Sequence, residues 1–139
     1  MNLDSRTLID TNVLVYAFDN DSEKREKAIK LLKTYCDAEN CIVSSQNLAE
    51  FVFVVTGKKV NVELSKAINF VENLAGMVPV LNYSEQEVLR ACQIKGEYDV
   101  PFFDALLVAT MEKAGVSTIV TENEKDFKNI KWLKVINPF

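Results

Sequence analysis

Short apolar runs alternate along this chain with longer stretches whose apolar residues recur at helical spacing, and that alternation constrains the fold more than any single residue does. Thr7–Ile9, Cys41–Val43, Val78–Leu81, Val116–Thr121 and Leu133–Ile136 read as strands. Between them, helices are expected over Val13–Phe18, Ser22–Asp37, Ser45–Thr56 and Val62–Leu74, from Ser84 onward, and over Phe102–Ala114. In the second of these, Ala28, Leu31, Leu32, Tyr35 and Cys36 fall at i, i+3, i+4, i+7 and i+8, the spacing of an amphipathic helix. Asn20 with Glu23 supplies a cap for that helix, and Ser84 with Glu87 forms a capping-box pattern. Gly57 and Gly115 act as stops. Pro79 favours a sheet edge or a strand start for its run. Strands separated by helices need crossovers, so the expected fold is a three-layer α/β/α sandwich around a mostly parallel sheet. Such sheets bind ligands beyond the carboxyl ends of their strands, near the switch in strand order. Asp10 and Thr121 fall at strand ends of that kind.

The 139 residues suit one domain spanning 1–139, large enough to bury roughly 68–70% of the unfolded surface. No apolar run approaches the ~20 residues of a membrane-spanning helix, so no membrane association is expected. The first ten residues lack a basic stretch followed by a long apolar one, which argues against a secretory signal. Cys36, Cys41 and Cys92 are odd in number and lack metal-ligand pairing, so reduced thiols in a cytoplasmic protein are expected. Histidine is absent, which excludes Ser-His-Asp and Cys-His catalysis and histidine-containing zinc sites. The four glycines, at 57, 76, 96 and 115, are too scattered for a phosphate-binding loop. Proton chemistry is therefore left to carboxylates, lysines, tyrosines or a metal-bound water. A net charge of −4 counts modestly against a purely electrostatic nucleic-acid binder. It leaves room for a nuclease, because bound cations offset clustered acids.

Three acids stand out. Glu50 interrupts the apolar run from Leu48 to Val55, and an isolated buried carboxylate needs a partner or a raised pKa. The alternative is an exposed helix stripe shared with Gln46 and Asn47. Asp104 lies in the apolar run from Phe102 to Ala109; in a first helical turn it is also favoured by the macrodipole. Asp10 equally suits a cap for the helix that follows it. A shared cation accounts for all three, since Mg²⁺ and Mn²⁺ prefer oxygen ligands. Such an ion also activates water at moderate pH and polarises a phosphodiester.

The stretches that carry these acids resemble PIN domains. Leu8-Ile9-Asp10-Thr11-Asn12-Val13-Leu14 is similar to their opening, Gln46–Phe51 to their second motif and Phe103–Ala109 to their third. Thr121–Phe127 is similar to the fourth, and Ile136–Phe139 to their usual ending. Within that family the stretches resemble those of VapC-like toxin ribonucleases. The resemblance implies a Mg²⁺- or Mn²⁺-dependent endoribonuclease acting on RNA, usually a homodimer, held inactive by a cognate antitoxin. It implies Asp10, Glu50 and Asp104 as the principal acids, with Thr11, Asn12 and Thr121 orienting ligands or waters. Turn and cap hydrogen bonding is the other role open to those three. Many relatives have aspartate at the Asn123 position, and others pair asparagine there with an aspartate at the Asp126 position. Asn123 and Asp126 are therefore the candidates to complete the metal site, with Glu122 less favoured, and the number of ions stays open.

Lys24, Arg25, Lys27, Lys30 and Lys33 give one helix a basic face; Lys125, Lys128, Lys131 and Lys134 form a second group. Either can track a phosphate backbone, although a solvated helix face is the preferred reading. Tyr98, Phe102 and Phe103 lie near Asp104 and can stack a base, with core packing preferred for the phenylalanines. A non-catalytic nucleic-acid-binding or protein-docking module on this fold is the main rival, and a small-molecule phosphatase the third reading.

Overall fold

The computed structural model describes residues 5–139; residues 1–4, part of the stretch read above as lacking a secretory signal, lie outside the described residues. Five parallel strands form one sheet in the order β3-β2-β1-β4-β5, with β1 at Thr7–Ile9, β2 at Cys41–Ser44, β3 at Val80–Leu81, β4 at Thr118–Val120 and β5 at Lys134–Ile136. Pro79 immediately precedes β3, an edge strand, where the missing N–H costs no ladder bond. The chain runs outward from β1 to β2 and β3, then returns to add β4 and β5 on the other side. The switch point is thus the β1/β4 pair, registered Thr7↔Thr118, Leu8↔Ile119 and Ile9↔Val120.

Period-two alternation sorts the strand residues between two cores. Leu8, Ile42 and Ile119 face a layer built from α5 (Glu85–Tyr98) and α6 (Phe102–Ala114). Ile9, Val43 and Val120 face the opposite layer of α1 (Thr11–Tyr16), α2 (Ser22–Asp37), α3 (Ser45–Val55) and α4 (Leu64–Met77). This is the expected three-layer α/β/α sandwich, with its sheet wholly parallel. The central strands are buried on both faces, which explains why they read as continuous apolar runs.

Helix ends show where local chemistry decides. Asp21, not Asn20, caps α2: its side chain accepts from the Glu23 and Lys24 N–H groups. Adjacent Asn and Asp are both good caps, and the extended backbone at Asp21 (φ −70°, ψ 111°) selects between them. Ser84 and Glu87 form the expected capping box on α5. Gly115 stops α6 in the left-handed conformation at φ 73°. The first helix starts at Thr11 and ends at Tyr16, earlier at both ends than its apolar residues suggest, because Asp10 caps it. The fourth runs later than expected, to Met77, which shortens β3 to two residues. A four-residue helix α7 (Glu124–Phe127) was too short to leave a periodic signal. Among the described residues no helix is long and apolar enough to cross a membrane. Cys36, Cys41 and Cys92 are free thiols.

Candidate active site

Asp10 leaves β1 at the switch point and enters α1, and its backbone N–H donates to Val120 of β4 at 3.0 Å. The side chain is 8% exposed and held by several donors. The Thr11 N–H reaches Oδ1 at 2.8 Å, the Thr121 hydroxyl reaches Oδ2 at 2.7 Å, and Asn12 Nδ2 approaches Oδ2 at 3.4 Å. Asp10 is therefore a helix cap and a buried site carboxylate at once. Burial pushes its pKa up, against the Thr121 and Thr11 hydrogen bonds that lower it.

Glu50 projects from α3 towards the same place. Gln46 and Asn47, which would have shared an exposed stripe with it, are instead buried, at 8% and 0% exposure. That overturns the exposed-stripe alternative for this turn of α3. Glu50 itself is half-buried, and its Oε1 accepts from the Thr11 hydroxyl at 3.4 Å. Desolvation raises its pKa, Gln46 hydrogen bonding lowers it, and the Asp10 charge raises it further.

Asp104 enters from the first turn of α6. Its pKa is pushed up to about 7, first by burial, then by the charges of Asp10 and Asp126, hydrogen bonding with Asp126 and the charge of Glu50. Asn123 Nδ2 donates to Asp126 Oδ2 at 2.9 Å and lies 3.4 Å from Asp104 Oδ2. Asn123 thus turns its amide donor, not its carbonyl, towards the two carboxylates. Phe103, expected in the core, is 61% exposed; only its carbonyl faces inward, accepting from Gln46 Nε2 at 2.8 Å. Phe102 is half-buried against the α5–α6 core, as expected, and Tyr98, also half-buried, packs against the same core.

Asp10, Glu50, Asp104 and Asn123 line one open cavity of about 310 Å³ together with Thr11, Asn12, Tyr16 and Gln46. Asp126 stands behind Asp104 and does not line it. Glu122 lines an adjoining hollow with Asn12, Tyr16 and Asn123. Its backbone N–H donates to Asn12 Oδ1 at 3.2 Å. Burial, then hydrogen bonding to Glu122 and its charge, pushes the Tyr16 phenol up to about 12.

The donors fit a hard divalent cation. They are all oxygen atoms, the Asp10 charge raises the pKa of both Glu50 and Asp104, and among the described residues none of these three carboxylates forms an ion pair. Gln46 Oε1 is buried without a hydrogen-bond partner beside them, a position that a cation or its water would satisfy. Among the described residues, however, no three acidic or cysteine side chains converge closely enough to form a finished cage. Mg²⁺ suits such an arrangement, since it keeps several waters and takes few protein ligands.

Asn47 figured in the sequence only in the exposed-stripe alternative and within the second motif, although Ser44 three residues earlier gave the capping-box spacing. Its Oδ1 accepts from the Ser44 N–H and hydroxyl at 3.1 and 2.7 Å. Its Nδ2 donates to Thr11 Oγ1 at 3.0 Å and approaches Asp10 Oδ1 at 3.4 Å. One fully buried amide therefore ties the start of α3 to the start of α1. Asn47→Ala strands several of these groups, and each unsatisfied buried polar group costs about 1–3 kcal/mol. Chemical denaturation should show a loss of at least about 2 kcal/mol.

Fold and site together define a parallel α/β protein with an oxygen-rich acidic centre at its topological switch. The chain belongs to the PIN domain family, whose model matches residues 7–133. Its fold is shared with a toxin–antitoxin complex from Klebsiella pneumoniae, at 21% identity over 96% of this chain and 98% of that one, with a TM-score of 0.70. It is similar to DNA-bound VapBC from Salmonella typhimurium, at 20% identity over 95% and 97% of the two chains and a TM-score of 0.70. It is also similar to VapC20 of Mycobacterium tuberculosis, a toxin that cleaves the sarcin–ricin loop, at 15% identity over 89% and 95% with a TM-score of 0.72. No curated protein matches the chain significantly in sequence.

Proposed function

We propose that this protein is a divalent-metal-dependent endoribonuclease, the toxin of a toxin–antitoxin pair, with Asp10, Glu50 and Asp104 holding Mg²⁺ or Mn²⁺. The observation that carries the reading is the meeting of three carboxylates, from three distant segments, in one cavity with no cationic partner among the described residues. A bound ion supplies charge neutralisation for a phosphodiester and an acidified water. The chain's own residues set the orientation. Thr11 and Thr121 fix the two oxygens of Asp10, while Thr11 and Gln46 steady Glu50. Asn123, on the cavity wall, reaches both Asp104 and Asp126 through its amide, and Asn123 and Asp126 are the fourth and fifth members of the proposed metal set. Asp126 adds the charge that Asn123 lacks.

RNA as substrate is supported by membership of the PIN family and by the fold shared with VapC20. Similarity to toxin–antitoxin complexes supports a cognate antitoxin. Apolar residues left exposed, among them Leu64 and Met77, supply surface for an antitoxin and for a homodimer. A cytoplasmic location follows from that role.

The test is incubation of purified protein with a mixed tRNA and rRNA pool, with Mn²⁺ or Mg²⁺ and with EDTA. Discrete products that need the metal are expected. Tight RNA binding that EDTA leaves unchanged, with no cleavage, would replace the nuclease with a binding module. Hydrolysis of a simple phosphate monoester with RNA spared would replace it with a phosphatase.

A further inference from the structure

Clustered carboxylates repel a polyanion, so a nuclease with this centre needs cations near its mouth. Tyr16 lines both the acidic cavity and the adjoining hollow. Lys24 Nζ lies 4.7 Å from the centroid of the Tyr16 ring. The rings of Tyr16 and Phe139 meet in a T-shaped contact, at 5.0 Å between centroids and 69° between planes, and Lys27 Nζ lies 5.6 Å from the Phe139 ring centroid. Two half-buried aromatic rings, Phe139 also packing on the core beneath, and two ammonium groups therefore form a continuous row that starts at the cavity wall. Lys24 and Lys27 are three residues apart on α2 and share a face. Among the described residues neither is ion-paired.

We propose that Tyr16, Phe139, Lys24 and Lys27 form a subsite for single-stranded RNA beside the acidic cavity, with bases stacking on the rings and phosphates meeting the ammonium groups. The substrate class rests on the nuclease reading above. Aromatic faces bind bases only where those bases are unstacked, which selects single strands over duplex. An exposed cation–π contact is worth about 0.5–1 kcal/mol, so the lysines transfer readily from ring to phosphate. Glu122, which lines the hollow, has a buried Oε2 with no hydrogen-bond partner.

The test uses a labelled 12-nucleotide single-stranded RNA and the full-length Asp104→Asn protein in Mg²⁺, read by fluorescence anisotropy. Tyr16→Ala should weaken binding by about 5- to 150-fold, the usual worth of one stacked base. Tyr16→Phe should keep the affinity. Lys24→Ala with Lys27→Ala, both surface changes, should lower the slope of log K against log salt by about 1.4, or 0.7 per single-strand phosphate contact. Lys33→Ala, on the opposite side of α2 beside Phe70 and Met77, should change neither quantity. Unaltered affinity and slope in both Tyr16→Ala and the double lysine variant would overturn the subsite, even if the wild-type protein cleaves RNA. Binding that depends on this row, without wild-type cleavage, would uphold the subsite and remove the nuclease.

Discussion

Asp104→Asn is expected to reduce metal-dependent RNA cleavage by about 10²- to 10⁴-fold while making the EDTA-treated protein more stable at pH 8. The first effect follows from the size of transition-state charge stabilisation by an ion, several kcal/mol, with each 1.36 kcal/mol worth a factor of ten. The second follows from linkage. The Asp104 pKa rises from 3.8 in a free side chain to about 7 in the folded protein, because burial and the Asp10, Asp126 and Glu50 carboxylates disfavour its charge. Between those two values the folded chain holds a proton that the unfolded chain releases. Stability of the EDTA-treated protein therefore falls as pH rises from about 4 to about 7, and the penalty is complete above pH 7. Asparagine never ionises, so the variant should lose that part of the pH dependence. Urea denaturation at pH 5, 6, 7 and 8 in EDTA reads the slope, and cleavage assays with Mn²⁺ read the activity. A variant that cleaves at the wild-type rate would remove Asp104 from the centre. An unchanged pH slope with lost activity would show that the carboxylate acts without the crowding inferred for it. Asp10→Asn should match the loss of cleavage.

Asp10 was legible in the sequence because a strand end is a geometric address: once parallel crossovers are inferred, the residue after β1 must lie at the carboxyl edge. Glu50 and Asp104 were legible through the cost of placing charge among apolar neighbours. The same logic misjudged their surroundings. Gln46 and Asn47 are polar and were candidates for solvent exposure, yet both are buried, because their amides can satisfy groups from α1 and α6 that no local pattern reveals. Asp126 was legible only as a charge in a motif; its place behind Asp104 depends on a four-residue helix that carries no periodic signal. Tyr16 went unnoticed as a site residue. Its position at the cavity wall depends on α1 stopping after six residues, and on Phe139, the last residue of the chain, returning to meet it. Long-range partners of this kind are set by topology, which the order of strands in the sheet decides.

Phe51→Ala should cost about 3–5 kcal/mol and Phe53→Ala less than about 0.5 kcal/mol, although the two lie two residues apart on one helix. Two steps along an α-helix turn the side chain by about 200°, so when one faces the core the other faces away. Phe51 is fully buried and anchors a cluster with Phe18 at 5.5 Å and Phe70 at 4.8 Å between centroids, where α3 meets the α1–α2 loop and α4. Removing its ring opens a cavity that the rigid neighbours cannot fill. Phe53 is 82% exposed and loses almost no packing. Against a typical total stability of about 5–15 kcal/mol, the first change removes a large fraction of the folded population's margin. Function should follow the same division. Glu50 precedes Phe51 directly, so loosening that ring frees the helix turn that aims the carboxylate, and Phe51→Ala should lose metal-induced stabilisation as well as intrinsic stability. Thermal melts with and without Mn²⁺ measure both terms. Equal shifts in wild type and Phe51→Ala would show that the ring supports the fold without positioning Glu50.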